Sequence, residues 1–223
     1  MQHGVGLFPT SVGDAVEFAR YLDRSRYEKL WMTDSHQLYA DAYVTLAACA
    51  AATDDLLLST GVTNPVTRHV TVTANAISSV NEIADGRATL AIGTGDSAVY
   101  SIGETPARVA DLRETVETVR ALLAGEAVAF GEETFHLEAD TSATAVHVAA
   151  EGPRTLRMAG AVADGVVFGG GTEPATVSWA LDRIAEGCET AGRSPADVSV
   201  TVLAPACVAE TEAAAVEELA DVL

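Results

Sequence analysis

The sequence predicts an α/β protein built on parallel strands, and two patterns carry that reading. Short apolar runs rich in β-branched residues alternate with amphipathic stretches along nearly the whole chain, the pattern of strands joined by helical crossovers. Each run also stops at glycine or small polar residues. At 223 residues the chain can hold one sizeable core, and a closed barrel of eight strand–helix units typically takes about 250. Alternation alone suits such a barrel and a doubly wound sheet equally well.

Residues 3–8 form the first strand candidate, closed by Pro9. Thr10 or Ser11 starts a helix, with Asp14 three residues after Ser11 as in a capping box. Val12, Ala15, Val16 and Ala19 share its apolar face. The second strand, 29–33, ends in Asp34-Ser35-His36, and 41–52 is a helix of small apolar residues. Strands at 56–62 and 88–92 flank a helix over 70–83. Thr105-Pro106 opens the next helix, with proline at its first position. Its stripe Val109, Leu112, Val116, Val119 and Leu123 runs to Gly125. Over 128–137 the pattern breaks into short alternating pieces, so an inserted hairpin-like excursion is expected near 126–142. Further strands are expected at 145–149, 164–168 and 198–204, with helices at 153–162 and 172–191 between them. Gly192 closes the second of these helices, and a last helix starts at Thr211 and runs to 223.

Charge excludes one class of partner. The chain carries 13 basic and 32 acidic residues, a net charge of −19, and Lys29 is its only lysine. Such a field repels nucleic acid. Self-repulsion of this size is best tolerated where salt screens it, since the Debye length falls to about 3 Å near 1 M. A halophilic setting is therefore expected. Cys49, Cys188 and Cys207 are odd in number and lack metal-ligand spacing, which suits buried thiols in a reducing cytoplasm. No apolar run reaches the roughly 20 residues of a membrane span, and the first residues show no basic-then-apolar secretion pattern. A cytoplasmic protein without a membrane partner is the expectation. The five histidines show no paired metal spacing and there is no Gly-x-Ser-x-Gly motif, so neither a metal nor a covalent triad is expected.

Candidate chemistry collects at the strand ends. Gly61-Val62 interrupts a strand, where a glycine marks a bulge or a close backbone approach. Gly93-Thr94-Gly95-Asp96 ends the next strand and offers bare backbone N–H groups; Asp96 is either a ligand acceptor or a helix cap. Gly152 and Gly169-Gly170-Gly171 precede helix N-termini, where free N–H groups and aligned dipoles favour a phosphate. The alternative is that these glycines only make tight strand-to-helix turns.

Four words in order carry a family resemblance: Thr-Gly-Val-Thr-Asn-Pro-Val-Thr-Arg-His from Thr60 to His69, and Gly-Arg-Ala-Thr-Leu-Ala-Ile-Gly-Thr-Gly-Asp from Gly86 to Asp96. The others are Ala150-Glu151-Gly152-Pro153 with the Ala159-to-Val166 run, and Ala191-Gly192-Arg193-Ser194. Together they resemble the luciferase-like oxidoreductases, and within them the deazaflavin-dependent branch typified by methylenetetrahydromethanopterin reductase. The resemblance implies a (β/α)8 TIM-type barrel as a single domain over 1–223. Only seven units are visible, so the barrel is expected to lack its C-terminal part and to leave its first and seventh strands unpaired, exposed or covered by a partner chain.

It also implies hydride transfer between coenzyme F420 and a small organic substrate, with an FMN-dependent monooxygenase or a non-catalytic cofactor-binding relative as alternatives. A homodimer through the Ala-rich second and third helices is expected. In this reading a bulge with a non-proline cis bond at Gly61 and Val62 backs the cofactor ring, with Asp34 and Asn64 as polar neighbours. Gly93, Thr94, Gly95 and Asp96 complete the pocket wall, and Gly152 and Gly169 hold the phosphate. The family's Asp-His pair has Asp34 in register but Ser35 where histidine is usual, so the role is not carried to His36. Arg68 and His69 match a family pair that is equally a scaffold feature. Gly6 stands where pterin reductases of the family carry a glutamate, the natural proton donor, which leaves the pterin reaction itself open.

Overall fold

The computed structural model describes residues 2–139 and 144–220. Its elements are β1 (Gly4–Leu7), α1 (Val12–Asp23), β2 (Lys29–Met32), α2 (Ala42–Ala50), β3 (Leu57–Thr60), α3 (Val70–Ile83), β4 (Ala88–Ile92), α4 (Ser97–Tyr100) and α5 (Val109–Leu123). A hairpin of β5 (Val128–Phe130) and β6 (Glu133–Phe135) follows. The chain then continues through β7 (Ala145–Ala149), α6 (Pro153–Val162), β8 (Gly165–Phe168), α7 (Pro174–Thr190), β9 (Ser199–Val202) and α8 (Glu212–Ala220). Of the expected excursion, residues 140–142 lie outside the described residues, as do 221–223 of the last helix and residue 1 of the domain.

Strand order decides between the two candidate architectures. The seven-stranded sheet runs β1-β2-β3-β4-β7-β8-β9, every pair parallel, in the order the chain supplies them. A doubly wound sheet reverses direction once, which places helices on both faces. Here each crossover steps the same way, and right-handed crossovers then put every helix on one face. The sheet curls into a half-barrel, and each of the longer helices packs on the next around its convex side. Among the described residues β1 and β9 each pair on one side only, and their residues are exposed or half-buried.

The convex face supplies the core. Leu30, Met32, Leu58, Leu90, Ile92, Val148, Val166 and Phe168 are buried there against Ala19, Leu22, Leu46, Ile77, Leu112, Val116, Leu156 and Ile184 of the helices. Burial of each large side chain contributes about 1.5–3 kcal/mol. Two polar braces tie the other end of the sheet. The Asp23 carboxylate accepts the N–H groups of Asp54, Asp55 and Leu56, the last at 2.7 Å. Arg87 donates to the carbonyls of Leu56 (2.7 Å), Thr53 (2.9 Å) and Ala50 (3.3 Å).

Two expectations are corrected. The helix expected from Thr105-Pro106 begins at Val109, because the Ala107 N–H donates to the Thr94 carbonyl and holds that segment against β4's loop; Arg108 and Asp111 then box the start. β3 stops at Thr60 rather than continuing to residue 62: beyond it Gly61 keeps one N–H bond to the Met32 carbonyl, and pairing returns at a Thr63–Ile92 bridge. The short α4 was absent from the sequence reading, since four residues carry no readable period.

α6 and α7 approach so closely that two glycines become obligatory. A methyl group at Gly160 would run into the Ile184 carbonyl, and one at Gly187 into that of Arg157. Gly160→Ala is expected to lower the free energy of unfolding by about 1–3 kcal/mol. Gly6→Ala, whose methyl would meet nothing within 4 Å, should stay within about 0.5 kcal/mol of the parent. Denaturant unfolding of the two variants side by side checks both figures.

Candidate active site

All seven strands point their C-terminal ends to one rim, so the loops after β2, β3, β4, β7 and β8 converge there. Asp34 follows β2 and is buried; its Oδ2 accepts a hydrogen bond from Thr63 Oγ1 at 2.7 Å. Thr63 is fixed in turn to β4: its N–H donates to the Ala91 carbonyl (3.0 Å) and its carbonyl accepts from Gly93 (2.9 Å). Three strand ends are thus locked together through one threonine, by its hydroxyl and its backbone.

Between Asp34 and β4 lies the Gly61–Val62 peptide, which is cis. The Gly61 N–H donates to the Met32 carbonyl at 2.7 Å, and a methyl group on Gly61 would lie 2.7 Å from Trp31 Cβ. Gly93 is walled by apolar side chains: a methyl there would meet Val62 Cγ2 at 3.2 Å and Ala149 Cβ at 3.3 Å. Gly95 has a positive φ of 100°, a conformation that favours glycine, and lies against Asn64 and Val99. Asn64 is buried, but its Oδ1 accepts the N–H groups of Val66 and Thr67, both at 2.9 Å, and so shapes its own loop. Thr94 is half-buried, and Asp96 is exposed with no side-chain cap bond to α4.

Asp34, Gly61, Val62, Asn64, Gly93 and Gly95 therefore meet in one place. Gly152 and Gly169 stand farther round the rim, beyond Ala149. Gly152 caps α6 and has open space around it, while the Glu151 carboxylate lies against Gly169, 2.7 Å from where a methyl would sit. Arg154, in the first turn of α6, was passed over in the sequence and makes no ion pair among the described residues. Thr63 and Trp31 were also passed over. Thr63 could have been found as the hydroxyl two residues beyond the strand-breaking glycine; Trp31 carried no signal beyond being aromatic. Among the described residues no group of three or more His, Cys, Asp or Glu side chains is placed to hold a metal.

Arg68 is tied to the scaffold. Arg68 Nη2 lies 2.5 Å from Asp41 Oδ2, and its guanidinium stands 4.8 Å from the centroid of the Tyr43 ring. Asp41 also caps α2, accepting the Tyr43 and Val44 N–H groups at 3.0 Å. Burial pushes the Asp41 carboxyl up, but the Val44 N–H, Arg68 and the Tyr43 N–H together hold it below the usual 3.8. Burial raises the Tyr43 phenol well above its ordinary value, so it stays protonated beside Thr63.

A carboxyl whose folded pKa is depressed stabilises above its unfolded pKa and loses that contribution as pH falls through the folded value. Asp41→Ala is therefore expected to cost about 1 kcal/mol or more at pH 7, for the lost cap alone. The deficit should persist down to about pH 4 and shrink below it. Thermal unfolding of both proteins across that pH range checks the sign.

Residues 2–223 match the family model described as luciferase-like monooxygenase. The 5,10-methylenetetrahydromethanopterin reductase of Methanolobus tindarius is 34% identical over 216 residues, which cover 92% of this chain and 64% of that protein. The F420-dependent glucose-6-phosphate dehydrogenase of Beutenbergia cavernae is 34% identical over 176 residues, 70% of this chain and 51% of that protein. This chain thus spans between half and two thirds of the length of these relatives. The solved structure of the coenzyme F420 dependent tetrahydromethanopterin reductase from Methanopyrus kandleri has the same fold, with a TM-score of 0.81 at 24% identity over 97% of this chain and 69% of that one. With one parallel sheet in chain order, glycine-walled strand ends and a match over nearly every residue, this chain belongs to the luciferase-like monooxygenase family.

Proposed function

We propose that the chain serves an oxidoreductase reaction in which a hydride moves between coenzyme F420 and a small organic substrate, as in methylenetetrahydromethanopterin reductase. The observation that carries this reading is the 34% identity to an F420-dependent dehydrogenase over 70% of the chain, with equal identity to a pterin reductase over 92%. The rim fits a flat ring. Gly61 and Gly93 present bare backbone, and Val62 and Ala149 give an apolar wall between them. The deazaflavin, when bound, supplies the carbon that accepts or donates the hydride.

The chain's own groups bind and orient. Asp34 has one oxygen engaged by Thr63, so its other oxygen is available to accept a hydrogen bond from the ligand. Gly152 and the first turn of α6 offer N–H groups to a phosphate, with Arg154 beside them. Gly152 suits that anion better than Gly169, against which Glu151 already places negative charge. Gly6 leaves β1 without a carboxylate on the inner face, so a substrate that needs a proton would draw it from water.

Titration of the protein in molar salt, following cofactor fluorescence, is expected to give saturable binding of F420 and none of FMN. Arg154→Ala and Asp34→Ala should each weaken F420 binding about tenfold, equivalent to about 1.4 kcal/mol. Preference for FMN would move the chain to the flavin-dependent monooxygenases. Binding of neither cofactor would overturn the reading.

A further inference from the structure

The concave face of the sheet carries a positive charge that no described residue compensates. Lys29 opens β2 with its side chain on the same face as Trp31, and it is only 8% exposed. Its Nζ makes one hydrogen bond, a long one of 3.4 Å to Thr89 Oγ1, and stands 4.8 Å from the centroid of the Trp31 ring. Among the described residues no carboxylate lies within 4.0 Å of it. Burial lowers its pKa to about 8, so it remains mostly ammonium at pH 7. In a chain with 32 acidic residues, the single lysine makes no ion pair among the described residues.

Two neighbours share this incompleteness. Thr89 pairs with Ala145, two residues before His147, so His147 faces the same side. It is 8% exposed; Nε2 lies 3.3 Å from Ser199 Oγ, and Nδ1 has no partner. Burial, and then the charge on Lys29, lower its pKa to about 4 against an opposing pull from Asp164, so the ring is neutral and close enough to feel the ammonium. The Trp31 indole Nε1 is likewise buried without a partner. Both rings are seated on glycine: a methyl at Gly4 would lie 2.6 Å from the Trp31 ring, and one at Gly165 2.7 Å from His147 Nε2. Their orientation is therefore fixed by close packing.

An ammonium with spare N–H bonds, an indole N–H and a neutral imidazole share the concave face, and the ammonium has no ion pair among the described residues. Buried charges are stable when paired and hydrogen-bonded. We propose that Lys29 is the anchor of a binding site for a small organic carboxylate on the concave face, at the end of the strands opposite Asp34. One positive charge balances a monoanion; a dianion would leave a second negative charge buried in a chain already at −19. The two oxygens of a carboxylate also suit donors on different side chains. The site is independent of the deazaflavin reading and stands or falls without it.

Thermal unfolding in chloride, acetate and sulfate at equal ionic strength and pH 7 tests it. Acetate is expected to raise the midpoint by about 2–4 °C over chloride, and Lys29→Met should abolish that difference. Because the single lysine gives one reactive side-chain amine, a second readout needs no variant. Acylation of Lys29 by an N-hydroxysuccinimide ester, followed by mass spectrometry of the digested protein, should slow several-fold on adding acetate. An equal shift from sulfate, the same acetate response in Lys29→Met, or acylation indifferent to acetate would each overturn the proposal.

Discussion

One constraint organises the molecule: neighbouring strands in the sheet are neighbours in the chain, and all pair in parallel. With right-handed crossovers this sends every helix to one side and every strand's C-terminal end to one rim. Period-two alternation then writes different chemistry on the two faces. Leu30 and Met32 go out to the helices while Lys29 and Trp31 go in; Leu58 goes out, Ser59 in; Leu90 out, Thr89 in. The convex face is a packed apolar core, and the concave face collects Lys29, Trp31, Ser59, Thr89, His147 and Ser199. Neither surface is chosen residue by residue; both follow from a single ladder register.

Elements with strong local punctuation were legible in the sequence. α3, β4 and β7 fall on the residues expected of them, because a polar residue or glycine bounds each run and no competing contact intrudes. The start of α5 was not, and the reason is tertiary. Thr105-Pro106 is a sound helix-opening signal on its own, yet the Ala107 N–H is taken by Thr94, which belongs to a different strand end. The choice between a barrel and a doubly wound sheet was equally beyond local pattern. Strand order is a property of which edges meet, and alternation says nothing about it.

The candidate site shows the same division. Its glycines were visible because a strand that stops at Gly61 or Gly93 breaks its own pattern. The contacts that make those glycines a site were not visible. Asp34 and Thr63 are 29 residues apart and meet only because Met32 and Thr60 lie in register. Asn64 looked like a ligand-facing amide, but an asparagine before proline can satisfy itself with the next backbone N–H groups, and this one does. Lys29 was conspicuous as the only lysine in the chain, but its place inside the sheet depends on which side of a four-residue strand faces in.

Charge explains why the rim is built from backbone. Arg68 is committed to Asp41, Arg87 to three carbonyls, and Arg120 to Asp164. The strand ends meanwhile carry Asp34, Asp96 and Glu151. An anionic ligand approaching such a rim would meet repulsion at long range and be held at contact, by N–H groups such as those opening α6 with Arg154 beside them. Salt acts differently on the two terms. At molar ionic strength the Debye length of about 3 Å removes most of the long-range repulsion, whereas a hydrogen bond from a backbone N–H at contact is barely screened. Backbone donors at contact are therefore the recognition elements least weakened by high salt.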